Sequence, residues 1–507
     1  MLEGSRETVP KSHGGVADVQ HPVPLPRQRA DLGCDIRVVE KRGSAVAHVT
    51  VGVDGSLASL ARGWLGIDEL ARAGEEGSFA EREKHEEERS VPQDDGKLSA
   101  LRCSVVSETG RLTREDMDID VRAATKNRVA LVLAGGAARG AYEVGVVDYL
   151  LHEVARALGH EISLDVLCGT SVGAFNVCAL AAFADEPRLR AQRLVEIWSQ
   201  LRVADLVRAD LRGIFTGARA LLDSSGLERL VERSIPFDRI DTHLQAGLLH
   251  AVTVSTTHVA SGKTVVFVHR REEGLPPWSL DPTIDPRACK LTAQHALASA
   301  AIPLLFRAVR LGTEYHCDGG LRQNVPLSPA RRLGADRVIV VNPRHIRPTK
   351  PFAPAGSEPP PGPLFLLGKT LNALLLDRLD TDLARLDGIN RILEAGKRRW
   401  GEDFVQDLNV ELGHTVGRGV RPLRSLLIRA SEDIGRMSAE FVRSAAFTTR
   451  VHGPLARIMR RLADGEASRE SDLLSYLLFD GEFARSLIAL GRADAAARHE
   501  ELCAFFE

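Results

Sequence analysis

Val129-Ala130-Leu131-Val132-Leu133-Ala134-Gly135-Gly136-Ala137-Ala138-Arg139-Gly140 is an apolar run of strand length that breaks into a glycine-rich turn. A helical apolar pattern follows from Tyr142 to Ala157, so strand, turn and helix make one βα unit. The unit repeats at once. Leu164 to Cys168 reads as a second buried strand, Gly169-Thr170-Ser171-Val172-Gly173 as its turn, and Ala174 to about Ala184 as an Ala-rich helix. Further strands are expected at His250 to Ser255, Thr264 to His269 and Arg337 to Asn342. Alternating β and α elements predict an α/β fold with a mainly parallel sheet covered by helices on both faces.

The second turn has chemical content. GxSxG on a strand-to-helix turn lifts the serine hydroxyl above the sheet, and the glycines two before and two after it, Gly169 and Gly173, remove side chains that would clash. Ser171 then stands at a helix N-terminus, where free N–H groups favour developing negative charge. An ordinary glycine-rich turn with a capping serine is the alternative at this point. Attack by a serine on an ester carbonyl needs backbone donors for the carbonyl oxygen, and Gly135, Gly136 and Ala137 offer a stretch with almost no side chains at a neighbouring strand end. A phosphate cradle is disfavoured, since GGAARG is neither GxGxxG nor a P-loop. The serine also needs a base. Asp318, in Cys317-Asp318-Gly319-Gly320, is the first candidate; His316 lies two residues earlier on the same expected strand face, and His295 is a weaker candidate.

Outside this core the chain is less informative. It has 507 residues, too many for one ordinary domain, and 66 Lys+Arg against 68 Asp+Glu leave a net charge of −2. No global field therefore draws it to nucleic acid. Seven Cys without a CxxC pair fit neither a disulfide framework nor a zinc site, so no metal and no cofactor are expected. The N-terminus lacks the basic and apolar regions of a secretory signal, and no window reaches about 18 uncharged apolar residues. A soluble cytoplasmic protein with at most peripheral membrane contact is expected.

Residues 1–126 carry little periodicity: Ile36 to Val53 could pair as a hairpin, and Gly74 to Lys97 is charged without an apolar stripe. They are expected to be poorly ordered. Residues 343–363 are proline-rich and read as a linker. From Leu364 an amphipathic helix runs through Leu371, Leu379, Leu386 and Leu393, expected to pack on the preceding domain, and residues 364–507 are read as an all-helical C-terminal region.

Four blocks in order, Gly135-Gly136-Ala137-Ala138-Arg139-Gly140, Gly169-Thr170-Ser171-Val172-Gly173, Ala298-Ser299-Ala300-Ala301-Ile302-Pro303 and Asp318-Gly319-Gly320, resemble those of patatin-like phospholipases. The resemblance covers residues 127–342, and Ala137 stands where many members have a third glycine. It implies a three-layer α/β/α sandwich and hydrolysis of acyl esters of phospholipids or lysophospholipids. Carried over by position, Ser171 is the nucleophile, Asp318 its base, and the backbone around Gly136 and Ala137 the oxyanion hole, in a loop that includes Gly135, Arg139 and Gly140. Arg139 would organise that loop in preference to meeting a lipid phosphate. Gly169, Gly173, Gly319 and Gly320 support the two motifs. The implied partner is a lipid ester, with no nucleic acid; oligomeric state is left open. Two rival readings stand beside it: a Ser/Asp/His esterase drawing on His345, His414, His452 or His499, and a catalytically silent lipid-binding or scaffold protein.

Overall fold

Five buried residues in a row, Val129–Leu133, make β1, and the unbroken apolar character that marks it in the sequence reflects cover on both faces. The computed structural model describes residues 127–206, 220–346 (without 221, 273, 277, 279 and 280), 379–413, 419–464 and 471–507. These lie within one of two compact units, Arg111–Glu507. Expectations for residues 1–126, for the proline-rich stretch beyond residue 346 and for residues 364–378 fall outside the described residues.

From β1 the chain enters α1 (Gly140–Tyr149), which continues through a π-helical stretch, Leu150–Val154. β2 (Val166–Thr170) leads into α2 (Val172–Ala182), buried at every residue, so its apolar composition all round is what a central helix requires. Next come α3 (Leu189–Ser199), α4 (Ser225–Ser234), β3 (Ala251–His258), β4 (Thr264–Arg270) and β5 (Ile284–Ala288). Then follow α5 (Ala293–Ser299), β6 (Val309–Leu311), β7 (Glu314–Asp318) and β8 (Arg337–Asn342). The C-terminal part contributes α6 (Leu379–Trp400), β9 (Arg424–Arg429), α7 (Ser471–Leu477) and α8 (Gly481–Ala496), among other helices.

The main sheet has the order β5-β4-β3-β2-β1-β8-β9. Neighbours from β3 through β9 are parallel; β4 turns antiparallel to β3 and carries β5 parallel to itself. Leu131, Leu133 and Leu167 belong to a core shared with α1, α2 and α8, whereas Ala130, Val132 and Cys168 face a second core that includes Leu379 and Leu386 of α6. Period-two alternation thus sends adjacent residues of one strand into opposite layers. The result is a three-layer α/β/α sandwich with a mainly helical C-terminal region.

Two expectations about that region need correction. It is not all helical, because β9 pairs with β8 from Arg337↔Arg424 to Asn342↔Arg429 and extends the parallel sheet. Nor does the sheet end at residue 342, the boundary drawn from the sequence. Leu426 and Ile428 of β9 are buried in the same core as Ile339 and Val341, so this strand supplies apolar cover that the earlier strands lack at that edge. α8 is equally integrated. A Cβ on Gly145 would stand 2.1 Å from the Ile488 carbonyl oxygen, and one on Gly491 would stand 2.2 Å from that of Tyr142. Only glycine lets α1 and α8 approach so closely.

Candidate active site

Sheet topology brings two distant residues together. β2 ends at Thr170, paired with Ser255 of β3, while β7 ends at Asp318, paired with Thr256, the next residue along β3. The carboxyl ends of β2 and β7 therefore meet head to head. Ser171 leaves β2 at this junction, and its hydroxyl donates to Asp318 Oδ2 at 2.6 Å.

The turn carrying Ser171 is strained. Ser171 sits at φ 55°, ψ −123°, outside the ordinary basins for a side-chain-bearing residue, at a cost on the order of 1–3 kcal/mol. The flanking glycines permit it. A Cβ on Gly169 would lie 2.3 Å from the Gly173 carbonyl oxygen, and one on Gly173 would lie 2.4 Å from that of Leu133. Both obstacles are backbone and cannot rotate away, so Gly173→Ala is expected to destabilise the fold by roughly 3 kcal/mol or more, measurable by denaturant unfolding. A loss below about 1 kcal/mol would contradict this account of the turn. Ser299 fixes the backbone further: its hydroxyl accepts from the Ser171 amide at 2.8 Å and donates to the Ser255 carbonyl at 2.6 Å. Ser299 stands in the Ala298–Pro303 block, where nothing local in the sequence assigns it this task.

Asp318 is wholly buried. Its second oxygen accepts from the Gly320 amide at 2.7 Å, and burial pushes its carboxyl up to about 7, opposed by the hydrogen bonds from Ser171 and Gly320. Gly319 follows Asp318 in a short turn packed against the Ser255 carbonyl. His316 belongs elsewhere: its Nδ1 lies 3.0 Å from Thr256 Oγ1, and its ring neighbours His258 and Phe267. Sharing a strand face with Asp318 does not bring it to Ser171, because only the strand's last residue reaches the end of β2. His295 caps α5 through Thr292, His345 lies against the Ala430 carbonyl, and His499 against the Tyr149 hydroxyl. His414 lies outside the described residues.

The five residues of the first turn divide by task. The Gly135 amide donates to the Asn324 carbonyl at 3.0 Å, and the Gly140 amide closes the turn onto Ala137, so neither is a free donor. Asn324 also donates from Nδ2 to the Gly135 carbonyl at 3.3 Å. Ala137 adopts φ 48°, and among the described residues the Gly136 and Ala137 amides have no acceptor. Arg139 is buried. Its Nε donates to Ser475 Oγ at 2.8 Å, and its guanidinium lies 4.1 Å from the Tyr476 ring centre, so it joins this turn to α7.

Ser171 and Ala137 border a pocket whose other walls include Val172, Phe175, Trp198, Leu201, Leu227, Leu230, Ile302, Phe306 and Phe479. Apart from Ser171, every residue lining it is apolar or aromatic, which suits a hydrocarbon chain. Among the described residues no helix is long and apolar enough to cross a membrane.

Residues 131–331 match the family profile of patatin-like phospholipases. Over 198 residues the chain is 29% identical to a cGAMP-activated phospholipase of Pseudomonas aeruginosa (strain BWHPSA011 / Pa011), covering 39% of this chain and 53% of that protein. It thus spans about half the length of that relative. A solved structure, VipD from Legionella pneumophila, aligns at 14% identity over 72% of this chain and 67% of that one, with a TM-score of 0.26. Residues 131–331 are thus similar to the patatin-like phospholipase family, over less than half of the chain.

Proposed function

We propose that this protein is a serine acyl hydrolase of phospholipid or lysophospholipid esters, with Ser171 as nucleophile and Asp318 as its base. The observation that carries the reading is the 2.6 Å hydrogen bond from the Ser171 hydroxyl to a buried carboxylate, at the edge of an apolar pocket. Ser171 Oγ attacks the ester carbonyl carbon while its proton passes to Asp318 Oδ2. Charge developing on the carbonyl oxygen is received by the Gly136 and Ala137 amides, supported by the free amides at the start of α2. Collapse of the tetrahedral intermediate breaks the ester bond, and the leaving alcohol takes the proton from Asp318. Water then attacks the acyl carbon, giving its proton to the same carboxylate; when the bond to Ser171 breaks, Asp318 returns that proton to Ser171 Oγ, and the fatty acid leaves.

The apolar walls suggest that the acyl chain, more than the head group, supplies binding energy. Across chromogenic esters of increasing acyl length, kcat/KM is expected to rise roughly fourfold per methylene until the pocket is filled. A profile that is flat or falls from acetyl onward would remove the pocket from the proposal. Hydrolysis of a phospholipid and its lysophospholipid, followed by fatty-acid release, tests the substrate class.

A further inference from the structure

The pocket is not built from the family domain alone. Phe479, two residues beyond α7, contributes to its wall. The Phe479 ring stacks on Trp198 with centres 6.3 Å apart and planes inclined by 21°. Trp198 in turn meets Phe175 edge-on at 6.5 Å, and Phe175 lies one helical turn beyond Ser171 on α2. The three rings form a row leading from the helix that begins at Ser171 to the C-terminal segment.

Both ends of this row are held. The Trp198 indole donates to Asn176 Oδ1 at 3.0 Å, and Asn176 donates to buried Glu143 at 2.9 Å. Beside Phe479, the Gly481 amide donates to the Leu201 carbonyl at 2.8 Å, and the Asp480 carboxylate accepts from the Glu482 and Phe483 amides at 3.0 and 3.3 Å. A Cβ on Gly481 would stand 2.1 Å from the Ser199 carbonyl oxygen, so this segment is pressed against the end of α3. Phe479 therefore projects from backbone anchored to the family domain. Its ring is only partly buried and has Trp198 on one face, so a change in its size alters the pocket before it alters the core.

We propose that Phe479 is a specificity-determining residue that closes the acyl pocket and sets the longest chain it accepts. This rests on the reading of Ser171 as nucleophile and of the apolar pocket as the acyl site. A chain esterified to Ser171 passes Phe175 and Trp198 and ends against Phe479. Removing the ring lengthens the accommodated chain, and enlarging it shortens that chain.

The test uses the full chain and two readouts. Initial rates are measured on 4-nitrophenyl esters from butyrate to stearate for wild type, Phe479→Ala, Phe479→Leu and Phe479→Trp. Binding of the corresponding free fatty acids is measured calorimetrically in the Ser171→Ala background, where no turnover is required. Phe479→Ala is expected to move both optima to chains longer by about four carbons, the bulk of the ring removed, with Phe479→Leu moving them part of the way. Phe479→Trp is expected to move them to shorter chains. Folding is checked by thermal unfolding, and the opposite shifts of the Leu and Trp variants remain decisive if the Ala variant unfolds. Unchanged chain-length profiles in folded variants would overturn the assignment of Phe479 while leaving the hydrolase standing. A wild-type chain that neither hydrolyses any ester nor binds any fatty acid would overturn both.

Discussion

Ser171→Ala is expected to lower kcat/KM for ester hydrolysis by about 10⁵-fold or more while shifting the stability of the fold by no more than about 1 kcal/mol. The two halves of this expectation have separate causes. Without the hydroxyl no acyl–enzyme can form, and the remaining donors can only assist direct attack by water. The fold loses one hydrogen bond, that to Asp318 Oδ2, but the carboxyl retains the Gly320 amide at 2.7 Å and can hold a proton in place of the bond it lost. The backbone keeps its anchor, because the Ser171 amide, not its side chain, donates to Ser299. Rates on a chromogenic ester, measured beside thermal unfolding curves, separate the two effects. Turnover within tenfold of wild type would remove Ser171 from the mechanism and favour the rival reading of an ordinary capped turn.

What could be seen in the sequence follows from how local the information was. The strand-turn-helix units around Gly135 and Ser171 are written in contiguous apolar and glycine patterns, and β1, α1, β2 and α2 appear within a few residues of where those patterns place them. Asp318 was accessible too, because a carboxylate followed by two glycines at the end of a short strand is a local signal. Partnerships across the chain left no such trace. The first glycine-rich turn is tied through Arg139 to Ser475, 336 residues away, and the Gly135 amide donates to Asn324, 189 residues away. A β-strand such as Arg-Ser-Leu-Leu-Ile-Arg, flanked by helices, reads equally well as part of a helix. Its place in the sheet is decided by the exposed edge of β8, not by its own propensity.

The same long-range ties alter the meaning of the C-terminal region. Leu379 and Leu386 of its helix α6 join the core on one face of the sheet, while β9 and α8 complete the edge and the opposite layer. With Ser475 and Tyr476 against Arg139, the region also meets the turn that carries Gly136 and Ala137. Truncation before residue 379 would therefore uncover both cores and disturb the turn.

The second large effect is on pH. If Asp318 must be ionised to take the Ser171 proton, kcat/KM falls about tenfold per pH unit on the acid side of a limb centred near 7, the value to which burial raises this carboxyl. Burial pushes His316 the other way, below the ordinary imidazole range, so a histidine-based mechanism would place the limb lower. Asp318→Asn should lower the plateau rate by about 10³- to 10⁴-fold and abolish the limb. Stability supplies an independent check with a fixed sign. The folded-state value lies above the ordinary carboxylate value of about 3.9, so between about pH 4 and 7 the native state holds a proton that the unfolded chain has released. Ionisation of Asp318 then subtracts stability progressively as pH rises through this window, with the full penalty present above about 7. Asp318→Asn removes that contribution, so the difference in unfolding free energy should move in the variant's favour as pH rises, even as activity is lost. Parallel stability profiles for the two proteins from pH 4 to 8 would show that Asp318 ionises in the folded state much as it does in the unfolded chain, and a buried carboxylate acting as base near neutrality would have to be abandoned.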